Sequence, residues 1–151
     1  MLQIGAENMA GLIQLAMAPA FLLVGVGAML QLFAGRLARV VDRSRVLKSS
    51  YAGSTGKAHD LIVEELRGLS RRMKIVNSAI LMGVCGAITI GLLIVALFTM
   101  ALLHIYLGLV IAGAFILAMA FTITGLLFFL VEVRLASRNI MVEDFYLELD
   151  R

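Results

Sequence analysis

Charged side chains are missing from two long stretches of this chain. No Asp, Glu, Lys or Arg occurs from Asn8 to Gly35, a run of 28 residues, or from Ile75 to Val131, a run of 57. Together the two runs take up 85 of 151 positions. The remaining residues are too few to cover two such blocks and keep them from water in a soluble domain of this size. Composition agrees: 62% of the residues are hydrophobic and 15% charged, against roughly 45–50% and roughly 25% in an ordinary soluble domain. A disordered chain, a secreted disulfide scaffold and a soluble enzyme are excluded on these grounds. The fold class expected is an all-α integral membrane protein.

A helix crosses the hydrocarbon core with about 20 apolar residues. The first block supplies one span, about 10–35; with no Lys or Arg before it, it lacks the basic region of a signal peptide. The second block is too long for one span and divides at Leu103-His104-Ile105-Tyr106, where Tyr suits a membrane interface and His would be costly in hydrocarbon. Two further spans follow, about 75–102 and 107–131. Ten of the thirteen Lys and Arg lie between Arg36 and Lys74, and the other three follow the third span. The positive-inside rule then places 36–74 and the C-terminus in the cytoplasm and the N-terminus outside. The odd number of spans agrees.

The stretch 36–74 reads as a long antiparallel helical hairpin. Leu23, Val26, Leu30, Phe33, Leu37, Val40, Ser44, Leu47 and Tyr51 recur at alternating spacings of 3 and 4, a heptad seam that continues out of the first span. Ile62, Leu66, Leu69, Met73, Val76, Ile80, Gly83, Ala87 and Ile90 repeat the pattern in the second arm. The Ser- and Gly-rich stretch Ser49 to Lys57 marks the turn. Arg36, Arg39 and Arg43 share one helix face, with Asp42 close to Arg39 and Arg45. These five residues form a candidate surface for anionic lipid or a cytoplasmic protein partner. No aromatic residue interleaves with them, so nucleic acid is not an expected partner. The tail 139–151 carries Glu143, Asp144, Glu148 and Asp150 and reads as an amphipathic, acidic counterpart.

Nothing catalytic is visible. Two His fall on opposite sides of the membrane, and a single Cys excludes internal disulfides and cysteine metal sites. No cofactor or metal is expected. No acid or base is placed inside a span, which disfavours proton-coupled transport. Gln31 and Asn77 should stand at similar depth, as an interhelical hydrogen bond or as part of a polar pore ring; Gln14 is a further polar group in the first span. Pro19 should kink that span. Ala79, Gly83, Ala87 and Gly91 recur every four residues, as do Ala114, Ala118 and Thr122. Small residues let helix backbones approach closely in lipid, and two such rows on three helices leave surface for a homo-oligomer.

The run Met17-Ala18-Pro19-Ala20-Phe21-Leu22-Leu23 through Gly25-x-Gly27-Ala28-Met29-Leu30, then Gly35-Arg36-Leu37-Ala38-Arg39-Val40-Val41-Asp42-Arg43-Ser44-Arg45, resembles a bacterial family of small three-span membrane proteins classed as a domain of unknown function. Leu66 through Arg71-Arg72, Asn77, Ala79-Ile80 and Glu132-Val133-x-x-Ala136 match as well, so the resemblance extends from about Ile13 to about Arg138. It implies a bacterial inner-membrane location and supplies no catalytic residue. The functional expectation is a non-enzymatic, self-associating membrane protein whose basic hairpin contacts lipid or a partner. The alternative is a homo-oligomeric ion channel lined by the first span.

Overall fold

A computed structural model describes residues 6–106 and 108–138. The acidic tail from residue 139 onward lies outside them. Three helices make up the described chain: α1 (Ala6–Tyr51), α2 (Lys57–Leu103) and α3 (Gly108–Arg138). At about 1.5 Å per residue, the 46 residues of α1 and 47 of α2 are each about twice as long as the bilayer core is thick, about 30 Å. All three helices are long and apolar enough to cross a membrane, and no strand occurs among the described residues.

The helices end where backbone chemistry requires. Between α1 and α2, Gly56 takes φ 63° and ψ −141°, a region only glycine enters at low cost. Its carbonyl accepts the first amide hydrogen bonds of α2, from His59 and Asp60. α2 stops at His104, which adopts the left-handed conformation (φ 52°) and donates its N–H to the carbonyl of Met100, a common helix ending. This confirms the break expected at 103–106. The first turn is shorter than the serines implied. Ser49 and Ser50 remain inside α1 because their hydroxyls donate back to the Val46 carbonyl, so they decorate a helix instead of breaking it. The helix also runs unbroken through Pro19.

The two heptad seams face largely inward, although Tyr51 at the end of the first is exposed. Val26, Phe33, Val40, Ser44 and Leu47 of α1 are buried, as are Leu69, Val76, Gly83 and Ile90 of α2. Late α1 residues meet early α2 residues: Arg43 meets Glu65, and the Tyr51 ring lies 4.5 Å from that of His59. Deeper in the apolar blocks, Leu30 lies against Gly83. α3 packs on another face of α2, and it touches α1 through the stacked rings of Phe33 and Phe129, 4.5 Å apart.

The rows of small residues have a specific use. A Cβ added to Gly125 of α3 would come within 3.1 Å of the Ala79 carbonyl oxygen, and one added to Gly86 within 2.9 Å of Thr122 Oγ1. The α2–α3 interface is therefore a close backbone approach built on Ala79, Gly83, Gly86, Ala118, Thr122 and Gly125, all buried. Ala87, Gly91 and Ala114 are half-buried at its margins. Much of the two rows is used within one chain, while a Cβ added to Gly91 would meet nothing within 4 Å. Gly86 and Gly125, three positions off the four-residue rows, escaped sequence reasoning.

Candidate functional site

Charged residues that follow the first charge-free run and stand on either side of the second meet in the fold. Arg36 is the first charge after the first run, Arg72 lies close before the second, and Glu132 follows it directly. Glu132 is wholly buried, with a side-chain exposure of 0%. Its Oε1 accepts hydrogen bonds from Arg72 Nη2 at 2.8 Å and Nε at 3.2 Å. Its Oε2 has no hydrogen-bond partner among the described residues and lies 3.8 Å from Arg36 Nη1. The Arg36 guanidinium also sits 5.7 Å above the Phe129 ring, within cation–π range. One carboxylate thus ties α1, α2 and α3 at a single level. A buried carboxylate is costly without a partner, and a paired guanidinium offsets that cost in low dielectric.

Glu132 is only one residue beyond the predicted third span, yet it is as buried as any residue in the apolar core. A sequence signal existed: it is the sole acid between Glu65 and Glu143, at the end of a charge-free run, facing a chain segment rich in arginine. A solitary acid in that position needs a partner.

Beside this node, Arg36, Arg39, Val40, Arg43, Leu69 and Arg72 line a cavity of about 210 Å³ between α1 and α2. Arg43 Nε donates to Glu65 Oε1 at 2.8 Å. Arg39 makes only a long hydrogen bond to the Gly35 carbonyl of its own helix, 3.4 Å, and no ion pair among the described residues. Three of the five predicted contact residues therefore share the cavity. Asp42 and Arg45 do not. They pair with each other at 3.7 Å, both largely exposed, and the expected approach of Asp42 to Arg39 does not occur. Arg72 and Glu132 were missed because their role depends on α3, which no local pattern in 36–74 reveals.

The polar amides behave differently. Gln14, Gln31 and Asn77 are all exposed and make no side-chain hydrogen bond among the described residues, so Gln31 and Asn77 do not bridge α1 and α2. At the far end, Leu15, Ala18, Pro19, Leu93, Leu97, Gly108 and neighbours line an apolar cavity of about 340 Å³. Pro19 contributes to that wall. Among the described residues no group of three metal-ligating side chains is clustered.

A family model described as Protein of unknown function (DUF2721) matches residues 16–142. The chain belongs to this family. No curated protein and no solved structure matches it. The region matched to DUF2721 contains the whole arginine cavity, the Glu132 node and the close α2–α3 contact. The resemblance to a family classed as a domain of unknown function is confirmed, and three apolar helices fit a small three-span protein.

Proposed function

We propose that this DUF2721 protein is a non-enzymatic, multi-pass protein of the bacterial inner membrane. Its N-terminus is outside, and the hairpin formed by the α1 and α2 arms lies in the cytoplasm. That hairpin contacts anionic lipid or a cytoplasmic partner through its basic face. The observation that carries the reading is the concentration of arginine at the end of the apolar blocks: Arg36, Arg39, Arg43 and Arg72 converge on one cavity. Each basic residue near an anionic bilayer surface is worth about 1 kcal/mol. The ion pair that anchors α3 gives this face a fixed shape. The test is the lipid retained by the purified chain after extraction from a bilayer of mixed anionic and zwitterionic lipids. Wild type should be enriched in anionic lipid, and the Arg36/Arg39/Arg43→Ala variant should not. Equal composition in both would reject the proposal.

A second reading has its own observation. Gln14, Gln31 and Asn77 are exposed and have no side-chain partner among the described residues, and an amide facing lipid is unfavourable until it is paired or wetted. Self-association would supply partners, and a ring with α1 inward would make these amides the lining of an ion channel. Such a channel would conduct ions in proteoliposomes, and Gln31→Leu would alter the flux. A flux that is absent, or indifferent to Gln31→Leu, would reject it.

A further inference from the structure

The arginine cavity carries a net positive charge that no acid among the described residues balances. Four guanidinium groups line it. Glu132 neutralises one, shared between Arg72 and Arg36, and Glu65 neutralises another at Arg43. Two positive charges are left, and Arg39 has no acidic partner among the described residues. The four are held differently. The side chain of Arg72 is 19% exposed and that of Arg36 is 34% exposed. Both are oriented by the buried Glu132, so two of the four guanidinium groups are pre-set before anything binds. Like charges converging without a counter-ion repel, and a bound anion removes that cost.

The chemistry of the lining selects the anion. A guanidinium presents planar, paired N–H donors that match phosphate oxygens. The volume, about 210 Å³, lies below the roughly 300–1,000 Å³ of pockets that enclose whole small molecules, so it suits a phosphate with its ester link. Position selects the source. Arg36 directly follows 28 uncharged residues, which puts the cavity at the headgroup end of the apolar segment. Val40 and Leu69 supply an apolar floor beneath the charges.

We infer that this cavity binds one phosphate group of an anionic lipid headgroup, gripped by Arg36, Arg39 and Arg72. The inference rests on the lipid-contact reading above and sharpens it from a charged surface to a site with fixed stoichiometry. Arg72 belongs to it although it lies on the other helix from the basic face seen in sequence. Arg45, equally basic and only two residues beyond Arg43, does not.

The full chain, purified in neutral detergent, is titrated with phosphatidic acid, phosphatidylcholine or inorganic phosphate, and its thermal unfolding is followed. Phosphatidic acid should raise the unfolding temperature and saturate near one lipid per chain. Phosphatidylcholine should have a much smaller effect. Arg39→Ala, an exposed side chain outside the buried node, should weaken phosphatidic acid binding about tenfold or more, the value of one charge-assisted hydrogen bond. Arg39→Lys should restore it in part, and Arg45→Ala should leave it unchanged. If Arg39→Ala and Arg45→Ala weaken binding equally, the site is overturned while the broader reading of a basic surface stands. If phosphatidic acid produces no shift at all, both fail. If inorganic phosphate stabilises as well as the lipid at equal concentration, the assignment to lipid is overturned.

Discussion

The three-helix body and the two-helix arm hold together in opposite ways. In the body, α2 and α3 approach through glycine, alanine and threonine, with backbone against backbone at Gly125 and Ala79. In the arm, α1 and α2 meet through larger aliphatic residues, Val40, Leu47 and Leu69, flanked by Ile62, Leu66 and Met73. The body is apolar on its outside as well, with Phe21, Val24, Leu92 and Leu109 all more than 60% exposed. The arm is charged on its outside. The difference follows from the solvent that each region suits. Lipid tails are as apolar as leucine, so helices in lipid gain little from burying large side chains and rely on close contact. In water, removing aliphatic surface is itself the driving force. A single heptad register runs through both regions, and the Arg36–Arg72–Glu132 node stands where one mode gives way to the other.

That comparison can be broken most severely at the node. Arg72→Ala removes both hydrogen bonds to Glu132 and leaves a buried carboxylate with only Arg36 at 3.8 Å. Losing one partner of a buried pair costs about 3–5 kcal/mol, so unfolding in a denaturing detergent titration should shift by that order. The double variant Arg72→Ala/Glu132→Ala should be more stable than Arg72→Ala alone. Strict additivity of the two single effects would mean that the pair does not couple the helices.

A smaller effect separates the two kinds of helix contact within the body. Gly125→Val must push apart two backbones and should cost about 1–3 kcal/mol, as overpacking does. Gly83→Ala meets side-chain atoms only, Leu30 Cδ2 at 2.8 Å and Met29 Cε at 3.3 Å nearest. It should be tolerated nearly without cost, because a flexible side chain can turn aside. Thermal unfolding of the two variants side by side would show the contrast, and equal destabilisation would contradict it. The smallest change belongs to the arm. Arg43 and Glu65 are about half exposed, and exposed ion pairs contribute about 0.2–1 kcal/mol. Arg43→Ala should therefore leave the unfolding midpoint almost unmoved, and a shift as large as that of Arg72→Ala would erase the distinction between node and arm.

Much of this arrangement is legible in the chain itself. Two charge-free runs dictate apolar helices, because a backbone in lipid must satisfy its own hydrogen bonds. The alternating 3 and 4 spacings state which faces of α1 and α2 meet, and the His104 break follows from the cost of a polar ring in hydrocarbon. These are local or periodic properties, so they survive in one dimension. The turn is shorter than its serines suggest because serine is both a turn residue and a tolerated helix residue, and only the hydroxyl's partner, the Val46 carbonyl, distinguishes the two. The small-residue rows announced close packing but not its partner. The structure spends them on α2 against α3, since Gly86 and Gly125 complete a contact that a four-residue period does not include.

What only the tertiary structure decided is the site. Arg36, Arg72 and Glu132 lie on three helices, separated by 36 and 60 residues, and no spacing rule connects them. Their meeting depends on how α3 rotates about its axis against α2, and the glycine contact sets that rotation. Sequence alone determined that the charges would gather at one end of the apolar blocks, because charge is expelled from hydrocarbon. Packing decided which of them are neutralised inside the protein and which are left facing an open cavity.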